Sequence, residues 1–185
     1  MRRLLLLICL VGLVLLSAPT TARAEIPEDV DKLIETNQCP VCILDEANLQ
    51  ETDLEAANLK IAVLLKANLK NANLNRANLI LSDMESADLR GASLVDARLN
   101  GANMRLANLA AADLRNAELT QANMEDANLE NANLEGAIML SVELGTANLR
   151  GANLLNANLR GADRSKALFC NTVMPDGVVE NRDCS

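Results

Sequence analysis

The sequence contains no His, no Trp and no Tyr, and its one Phe is Phe169. Histidine is the commonest general base at neutral pH and the commonest metal ligand in proteins. Aromatic side chains are the platforms on which the bases of single-stranded nucleic acid stack. These absences predict a protein that is not an enzyme, with no catalytic residue, no cofactor and no bound metal.

The one long apolar run stands at the start of the chain. Arg2 and Arg3 precede the apolar residues 4–16, and Ala22-Arg23-Ala24 follows as a small-x-small cleavage site. This order predicts a secretory signal peptide over residues 1–24, with Glu25 as the mature N-terminus. The alternative is an uncleaved membrane anchor, which is disfavoured because the run is shorter than the about 20 residues that a spanning helix needs.

Basic residues are fewer than acidic residues, with 17 Lys and Arg against 25 Asp and Glu. Three of the Arg lie in residues 1–24, which hold no acidic residue, so the mature chain has 14 basic and 25 acidic side chains and a net charge of −11. Such a surface repels the phosphates of nucleic acid and of anionic lipid. We therefore expect no nucleic-acid partner and, after cleavage, no association with a membrane.

Four cysteines follow the signal peptide, namely Cys39, Cys42, Cys170 and Cys184. An even number of cysteines in an exported chain favours disulfide bonds. A bond between Cys170 and Cys184 would close a loop of about 15 residues and stabilise the fold by about 3 kcal/mol. Cys39 and Cys42 have three interpretations: a structural disulfide, two buried free thiols, or a thiol redox pair. The redox interpretation lacks both a βαβ context and a following helix N-terminus that would lower the thiol pKa.

A five-residue repeat occupies most of the chain. Its most regular column has 26 positions, from Leu44 to Phe169 without an insertion, and 20 of its residues are Leu and four are Met. Two residues earlier Ala fills 22 of the 26 positions, and one residue earlier Asn or Asp fills 18. On an α-helix, residues five apart point in different directions around the axis, and on a strand they alternate between the two faces. Neither element would therefore place these Leu side chains on one side. The chain must therefore extend over each Ala-Asn-Leu and turn in the next two residues.

These columns resemble the pentapeptide-repeat family, whose members are right-handed quadrilateral β-helices. The resemblance implies an all-β fold, a parallel β-helix with four repeats per coil and about 6.5 coils stacked at about 4.8 Å. It also implies that Leu and Ala point inward and that the other three positions face solvent. The predicted organisation is a signal peptide over 1–24, a helical cap over 25–41, the solenoid over 42–169 and a C-terminal cap or tail over 170–185.

The segment before the repeats has apolar residues at helical spacing, Val30, Leu33 and Ile34, after Pro27. This spacing predicts a short amphipathic helix over about residues 27–36 that covers the first coil. The alternative is an unstructured mature N-terminus.

The far end departs from the repeat at Arg164, which puts a charge in the Leu column. We expect Phe169 to plug the last coil. The tail and the leading Cys-Pro-x-Cys resemble those of exported cyanobacterial pentapeptide-repeat proteins, which implies the thylakoid lumen or the periplasm.

With four repeats per coil, every fourth repeat shares a face. One face has five outward apolar residues that form a candidate contact surface: Ile61, Ile80, Leu81, Ile138 and Leu140. They fall into two patches, separated by Arg98, Asn100, Glu118 and Thr120. The alternative is that they are scattered surface hydrophobic residues or lie beneath a terminal segment.

Together these observations favour a non-enzymatic structural or protein-interaction solenoid in an exported compartment, with an unidentified protein partner. It would be a monomer or an end-to-end or face-to-face dimer. One alternative is a DNA-mimicking, gyrase-binding protein, as some members of the family are, although export separates the chain from cytoplasmic gyrase. Another is a thiol redox protein that uses Cys39 and Cys42.

Overall fold

The computed structural model describes residues 28–184, and the predicted signal peptide lies outside the described residues. In chain order the regular elements are helix α1 (Glu28–Thr36) and strands β1 (Thr172–Val173) and β2 (Val179–Glu180). Within residues 28–184 no helix is both long enough and apolar enough to cross a bilayer.

Between α1 and β2 the chain winds into a coil held by single parallel β-bridges. Each bridge joins a residue to the residue 20 positions later, from Gln38 with Asn58 to Asn153 with Val173. Twenty residues are four five-residue repeats, so each coil has four sides, as the resemblance implied. The ladder begins four residues before the predicted start at residue 42 and ends four residues after the predicted end at residue 169.

Each repeat bonds to the coil before it and to the coil after it. The Asn128 N–H donates to the carbonyl of Ala107 in the preceding coil (2.9 Å), and the Leu129 N–H donates to the carbonyl of Asn148 in the next coil (2.8 Å). The Ala132 N–H closes the corner on the Leu129 carbonyl at 3.0 Å. Every side of the coil is thus one short extended segment followed by one tight turn.

The residue before each Ala lies at the corner and has a positive φ. Asn131 has φ 59°, the left-handed conformation that the third residue of a type II turn adopts. One coil later the same corner is Gly151 with φ 70°, and a Cβ there would lie 2.1 Å from the Asn131 side-chain oxygen. A side chain at position 151 would force the Asn131 side chain to move, so the contact with Asn131 favours glycine at this corner, whereas other corners hold a side chain at the same positive φ.

The core is the stack of inward Leu and Ala columns. Every residue of the Leu column from Leu44 to Leu154 is at most 1% exposed, and burying each such side chain contributes about 1.5–3 kcal/mol. The column opens at Leu159, which is partly buried, and at Arg164, which is exposed. Phe169 then closes the core with 1% exposure.

Helix α1 lies against the first coil through Leu33, which is fully buried in the core cluster. Asn37 ends the helix with a φ of 56°, and its N–H donates to the Leu33 carbonyl (2.8 Å), a left-handed C-terminal cap. Its own carbonyl accepts the Asn58 N–H at 3.0 Å. The residue that ends the helix thereby also starts the coil.

The C-terminal end is covered by the β1–β2 hairpin and the residues after it. The Asp183 carboxylate accepts the Phe169 N–H (2.9 Å), and the Asp183 N–H donates to the Phe169 carbonyl (2.9 Å). The Arg182 guanidinium lies 4.6 Å from the centroid of the Phe169 ring. Phe169 is thus both the last large core residue and the attachment point of the tail.

Candidate protein-interaction surface

The Asn and Asp that precede the inward Leu serve the scaffold. The Asn68 side-chain amide donates to the Asn48 side-chain oxygen one coil earlier (3.0 Å), and the Asn68 side-chain oxygen accepts the Lys70 N–H (3.3 Å). The same two contacts recur along the coil, for example at Asn128 and Asn148. These Asn and Asp side chains are therefore occupied by bonds to the adjacent coil and to the following turn. Of the outward positions, the two after each inward Leu are the most available for contact with a partner.

We call one side of the coil the isoleucine face. Its inward column is Leu59, Leu79, Leu99, Leu119, Met139 and Leu159. Ile61 and Leu81 occupy successive corners of this face and are 43% and 56% exposed. The Ile61 N–H donates to the carbonyl of half-buried Ile80 (2.9 Å), so the structure brings together the first three predicted contact residues on adjacent coils.

The second predicted patch lies on the same face, three coils away. Ile138 is 40% exposed and Leu140 is half-buried. Both belong to the coil of Met139, whereas Ile80 and Leu81 follow Leu79. The structure thus places all five residues on one face without joining them into one patch.

The strip between the patches is an ordered polar network. The Asn100 side-chain amide donates to a Glu118 carboxylate oxygen (2.8 Å), and the Asn100 side-chain oxygen accepts the Thr120 N–H (3.0 Å). The Arg98 guanidinium lies 3.7 Å from the same Glu118 oxygen. These four residues form a connected polar strip across the middle of the face.

A shallow cavity of about 420 Å³ runs beside this network. It is lined by Ile80, Leu81, Asn100, Gly101, Thr120 and Gln121. Gly101 has φ 68°, and a Cβ on it would lie 2.7 Å from a Leu81 methyl carbon. The missing side chain of Gly101 therefore gives the Leu81 side chain room to lie along the corner row.

Val41 belongs to the same corner row and was missed by the sequence analysis. It is 65% exposed and lies one coil before Ile61. The Val41 N–H donates to the carbonyl of Lys60, the residue before Ile61 (2.9 Å). The repeat could have predicted this residue, because Cys39 occupies the inward column and Val41 follows it by two positions, as Ile61 follows Leu59. Val41 and Ile61 have φ of 63° and 59°, a conformation that β-branched residues rarely adopt.

Cys39 and Cys42 form a disulfide in the structure. Cys39 is fully buried and Cys42 is 3% exposed, and thiol–disulfide exchange needs access to a sulfur atom. The two sulfur atoms and the Asp29 carboxylate lie within 4.8 Å of one another. Since both sulfur atoms are bonded to each other, this group offers no thiolate to a metal.

Cys170 and Cys184 form the second disulfide. Cys170 is half-buried and Cys184 is exposed. This bond joins the hairpin end of the coil to the tail, at the opposite end of the molecule from Cys39. The two cysteine pairs thus lie apart and do not form one four-sulfur site.

Two acidic groups outside this face have a lowered pKa because they belong to surface ion pairs. The Arg90 guanidinium donates to Asp88 and lowers the pKa of that carboxyl group, and Arg115 does the same to Asp113. Both pairs join residues two positions apart on the outer surface. Exposed pairs of this kind contribute little to stability, about 0–1 kcal/mol, and they mark no site.

Comparison with known families gives a match to pentapeptide repeats in 8 copies, over residues 42–80, 67–105, 102–139 and 142–174. The last matched range extends to Met174, in agreement with the bridge to Val173. No curated protein sequence matches the chain significantly.

Several solved structures of pentapeptide repeat proteins are similar to this chain. QnrB1, a plasmid-mediated fluoroquinolone resistance protein, shares 20% identity over 79% of this chain and 82% of its own, with a TM-score of 0.57. HetL of the cyanobacterium Nostoc sp. strain PCC 7120, involved in heterocyst differentiation regulation, shares 30% identity over 77% and 83%, with a TM-score of 0.35.

A protein from the thylakoid lumen of Arabidopsis thaliana shares 35% identity over 50% of this chain, with a TM-score of 0.49. The chain spans 65% of the length of that protein. The family match and the QnrB1 fold together imply a right-handed quadrilateral β-helix.

Proposed function

This chain belongs to the pentapeptide repeat family, and from that premise we propose that it is a non-enzymatic protein-interaction solenoid in an exported compartment. Proteins of this family are structural and interaction solenoids. The observation that carries the proposal is the isoleucine face, where Ile61 and Leu81 hold large apolar side chains 43% and 56% exposed on a hydrogen-bonded frame. Grouped exposed apolar residues on a folded protein are typical of contact surfaces.

Export is the second part of the proposal. The basic, apolar and small-x-small order of residues 1–24 supports it. The bonds Cys39–Cys42 and Cys170–Cys184 support it independently, because disulfides persist in oxidising compartments. The thylakoid lumen and the periplasm both meet this requirement.

Helix α1 and the hairpin tail have a structural role in this proposal as caps of the two ends. A solenoid exposes an unpaired strand edge at each end, and such edges recruit other chains. Leu33 covers the core at one end and Phe169 at the other. Capped ends leave the side faces as the surfaces for a partner.

The two alternative functions have weaker support. A gyrase-binding DNA mimic would use the acidic surface, but it requires a cytoplasmic chain. A thiol redox protein would need an accessible sulfur atom in the Cys39–Cys42 pair, which is buried. The isoleucine face has no role in either alternative.

The test is affinity capture from the native compartment with the mature chain, residues 25–185, and two variants. I61N/L81N replaces the apolar corner residues by asparagine, which tolerates a positive φ. L106N is the matched control, because Leu106 is a corner residue of another face with φ 60° and 46% exposure.

We expect the wild-type chain and L106N to retain the same bound proteins and I61N/L81N to lose them. Cell fractionation should find the mature chain outside the cytoplasm. Capture that is unaffected by I61N/L81N, a strictly cytoplasmic chain, or specific turnover by the purified protein would each contradict the proposal.

A further inference from the structure

We propose that the isoleucine face binds a second copy of this chain, face to face and with the two solenoids antiparallel. The two-fold axis would lie in the interface, parallel to the strands, midway between the coils of Leu99 and Leu119. This inference rests on the proposed function, since it names the partner of that face. In this arrangement the polar strip between the two apolar patches lies at the centre of the interface.

The symmetry fixes which coils meet. A two-fold axis parallel to the strands reverses the order of the coils but keeps each residue at its place along the side. The coil of Leu99 then lies against the partner's coil of Leu119, the coil of Leu79 against that of Met139, and the coil of Leu59 against that of Leu159. Each outward residue acquires one defined opposite residue.

One pair of apolar residues, Ile80 and Leu140, meets in this arrangement. Ile80 and Leu140 are both the first residue after an inward residue, on the coils of Leu79 and Met139. Ile80 therefore lies opposite the partner's Leu140, and the contact occurs twice. The two patches that stand apart within one chain come together between two chains.

The charges at the centre are complementary. Arg98 and Glu118 both precede an inward residue, so Arg98 lies opposite the partner's Glu118, and Glu118 opposite the partner's Arg98. Within one chain the two side chains are 3.7 Å apart and 52% and 44% exposed. The dimer would complete a network of four alternating charges, and Asn100 would lie opposite the partner's Thr120.

The corner row pairs large residues with small ones. Ile61 lies opposite the partner's Gly161, and Leu81 opposite the partner's Ser141. Interdigitation of this kind lets the two rows approach closely, as packed interfaces require. It also gives a reason for β-branched Ile61 to occupy a left-handed corner.

The other two-fold arrangement fits less well. An axis parallel to the solenoid would place each coil against itself, with Ile80 opposite the partner's Asn78 and Arg98 opposite the partner's Asn100. That arrangement also pairs Ile138 with the partner's Leu140, so the two arrangements make equal numbers of apolar contacts and of apolar–amide contacts. It differs in leaving the charges of Arg98 and Glu118 unpaired across the interface. The antiparallel dimer has two unfavourable contacts. Ile138 lies opposite the partner's Asn78, and Lys60 lies opposite the partner's Arg160 at the exposed rim, where repulsion is screened.

The face is small, so the dimer should be weak. Six coils at about 4.8 Å and a side of three extended residues give a face of roughly 29 by 10 Å. Roughly 300 Å² per copy is well below the about 800 Å² per partner of a standard interface. We therefore expect association in the micromolar to millimolar range, visible by sedimentation as the protein is concentrated.

The first experiment reverses the central charges in the mature chain. R98E places two acidic residues opposite each other across the interface, and E118R places two basic residues there, so each variant alone should associate at least about tenfold more weakly. An equimolar mixture of R98E and E118R restores both opposite pairs and should regain association. The mixture isolates the contact between chains, because the contact within each chain stays like-charged in both variants.

The second experiment traps the register with cysteines. Asn78 lies opposite the partner's Ile138, whereas within one chain the two are three coils apart, about 14 Å at the 4.8 Å coil spacing. N78C chains mixed with I138C chains should form a disulfide-linked dimer that neither variant forms alone. The matched control is N73C mixed with N133C, which has the same spacing on the neighbouring face and should not cross-link.

The outcomes separate this inference from the proposed function. A chain that stays monomeric up to about 1 mM, or a mixture of R98E and E118R that fails to regain association, overturns the dimer. If capture of a different protein is still lost in I61N/L81N, the face is an interaction surface with another occupant. Cross-linking of N73C with N133C instead would place the interface on the neighbouring face and equally overturn the inference.

Discussion

Two aspartates close the exposed backbone edges at opposite ends of the coil. The Asp29 carboxylate accepts the Ile43 N–H (2.8 Å) at the first coil, and the Asp183 carboxylate accepts the Phe169 N–H (2.9 Å) at the last. In the middle of the stack the same N–H groups donate to carbonyls of adjacent coils. At each end a carboxylate oxygen thus takes the place of the carbonyl of a neighbouring coil as the hydrogen-bond acceptor.

The pH dependence of the C-terminal end follows from Asp183. Its pKa lies below the usual 3.8, chiefly because the Phe169 N–H donates to the carboxylate and also because Arg182 lies beside it. A lowered folded-state pKa gives stability that is present above the unfolded-state pKa, near 3.8, and is lost as the pH falls through the lower value. We therefore expect the Phe169 amide to lose hydrogen-exchange protection below about pH 4.

The variant D183N tests this assignment. Asparagine keeps an oxygen acceptor but has no charge to titrate, so protection of Phe169, corrected for intrinsic exchange, should no longer change with acidification between about pH 4 and 2. An identical pH profile in D183N and in the wild type would show that another group is responsible.

At the scale of elements, the two ends of the coil are closed in different ways. Helix α1 buries Leu33 in the core cluster that also contains a disulfide of sequence separation 3. The hairpin end uses Phe169 and a disulfide of sequence separation 14. The longer loop removes more entropy from the unfolded chain, so the C-terminal bond should contribute the more, about 3 against about 2 kcal/mol.

Removal of each disulfide tests this difference. C170S/C184S should lower the free energy of unfolding by about 3 kcal/mol and free the tail from the last coil. Trypsin should then cleave faster at Arg160, Arg164 and Lys166. C39S/C42S is the control, in which those three sites should stay protected. Equal cleavage rates in both variants would mean that the C-terminal bond does not hold the hairpin end.

At the scale of the whole molecule, the stack behaves as a one-dimensional array. Each coil bonds only to the coils before and after it, through residues 20 positions apart. Stability should therefore be a sum of coil contributions and contacts between neighbouring coils.

Deletion of one coil is the direct test. Removal of residues 85–104 joins Met84 to Arg105 and keeps every column and both caps in register, so a shorter solenoid should fold and unfold cooperatively at a lower free energy. Removal of residues 85–102 takes out two residues fewer and should disrupt the fold, because it adds two residues to one corner. Circular dichroism and thermal unfolding measure both, and equal stability of the two variants would contradict the additive stack.

Part of this architecture follows from the sequence alone. The five-residue period forces a short extended segment and a corner in each repeat, because no regular helix or strand gathers Leu at that spacing. The same period identifies the buried columns and places Ile61 and Leu81 at the corner position of their repeats. These features are local, so they follow from residue types within five positions of one another.

Only the tertiary structure decided the rest. A five-residue period does not state how many corners complete a coil, which depends on the summed turn angles, and the 20-residue bridges supplied that number. The carboxylates of Asp29 and Asp183 reach the coil ends from segments outside the period, so no column could reveal them. The sequence left Cys39 and Cys42 open between a disulfide, free thiols and a redox pair, because bond formation and access to the sulfur atoms depend on where the first coil places them.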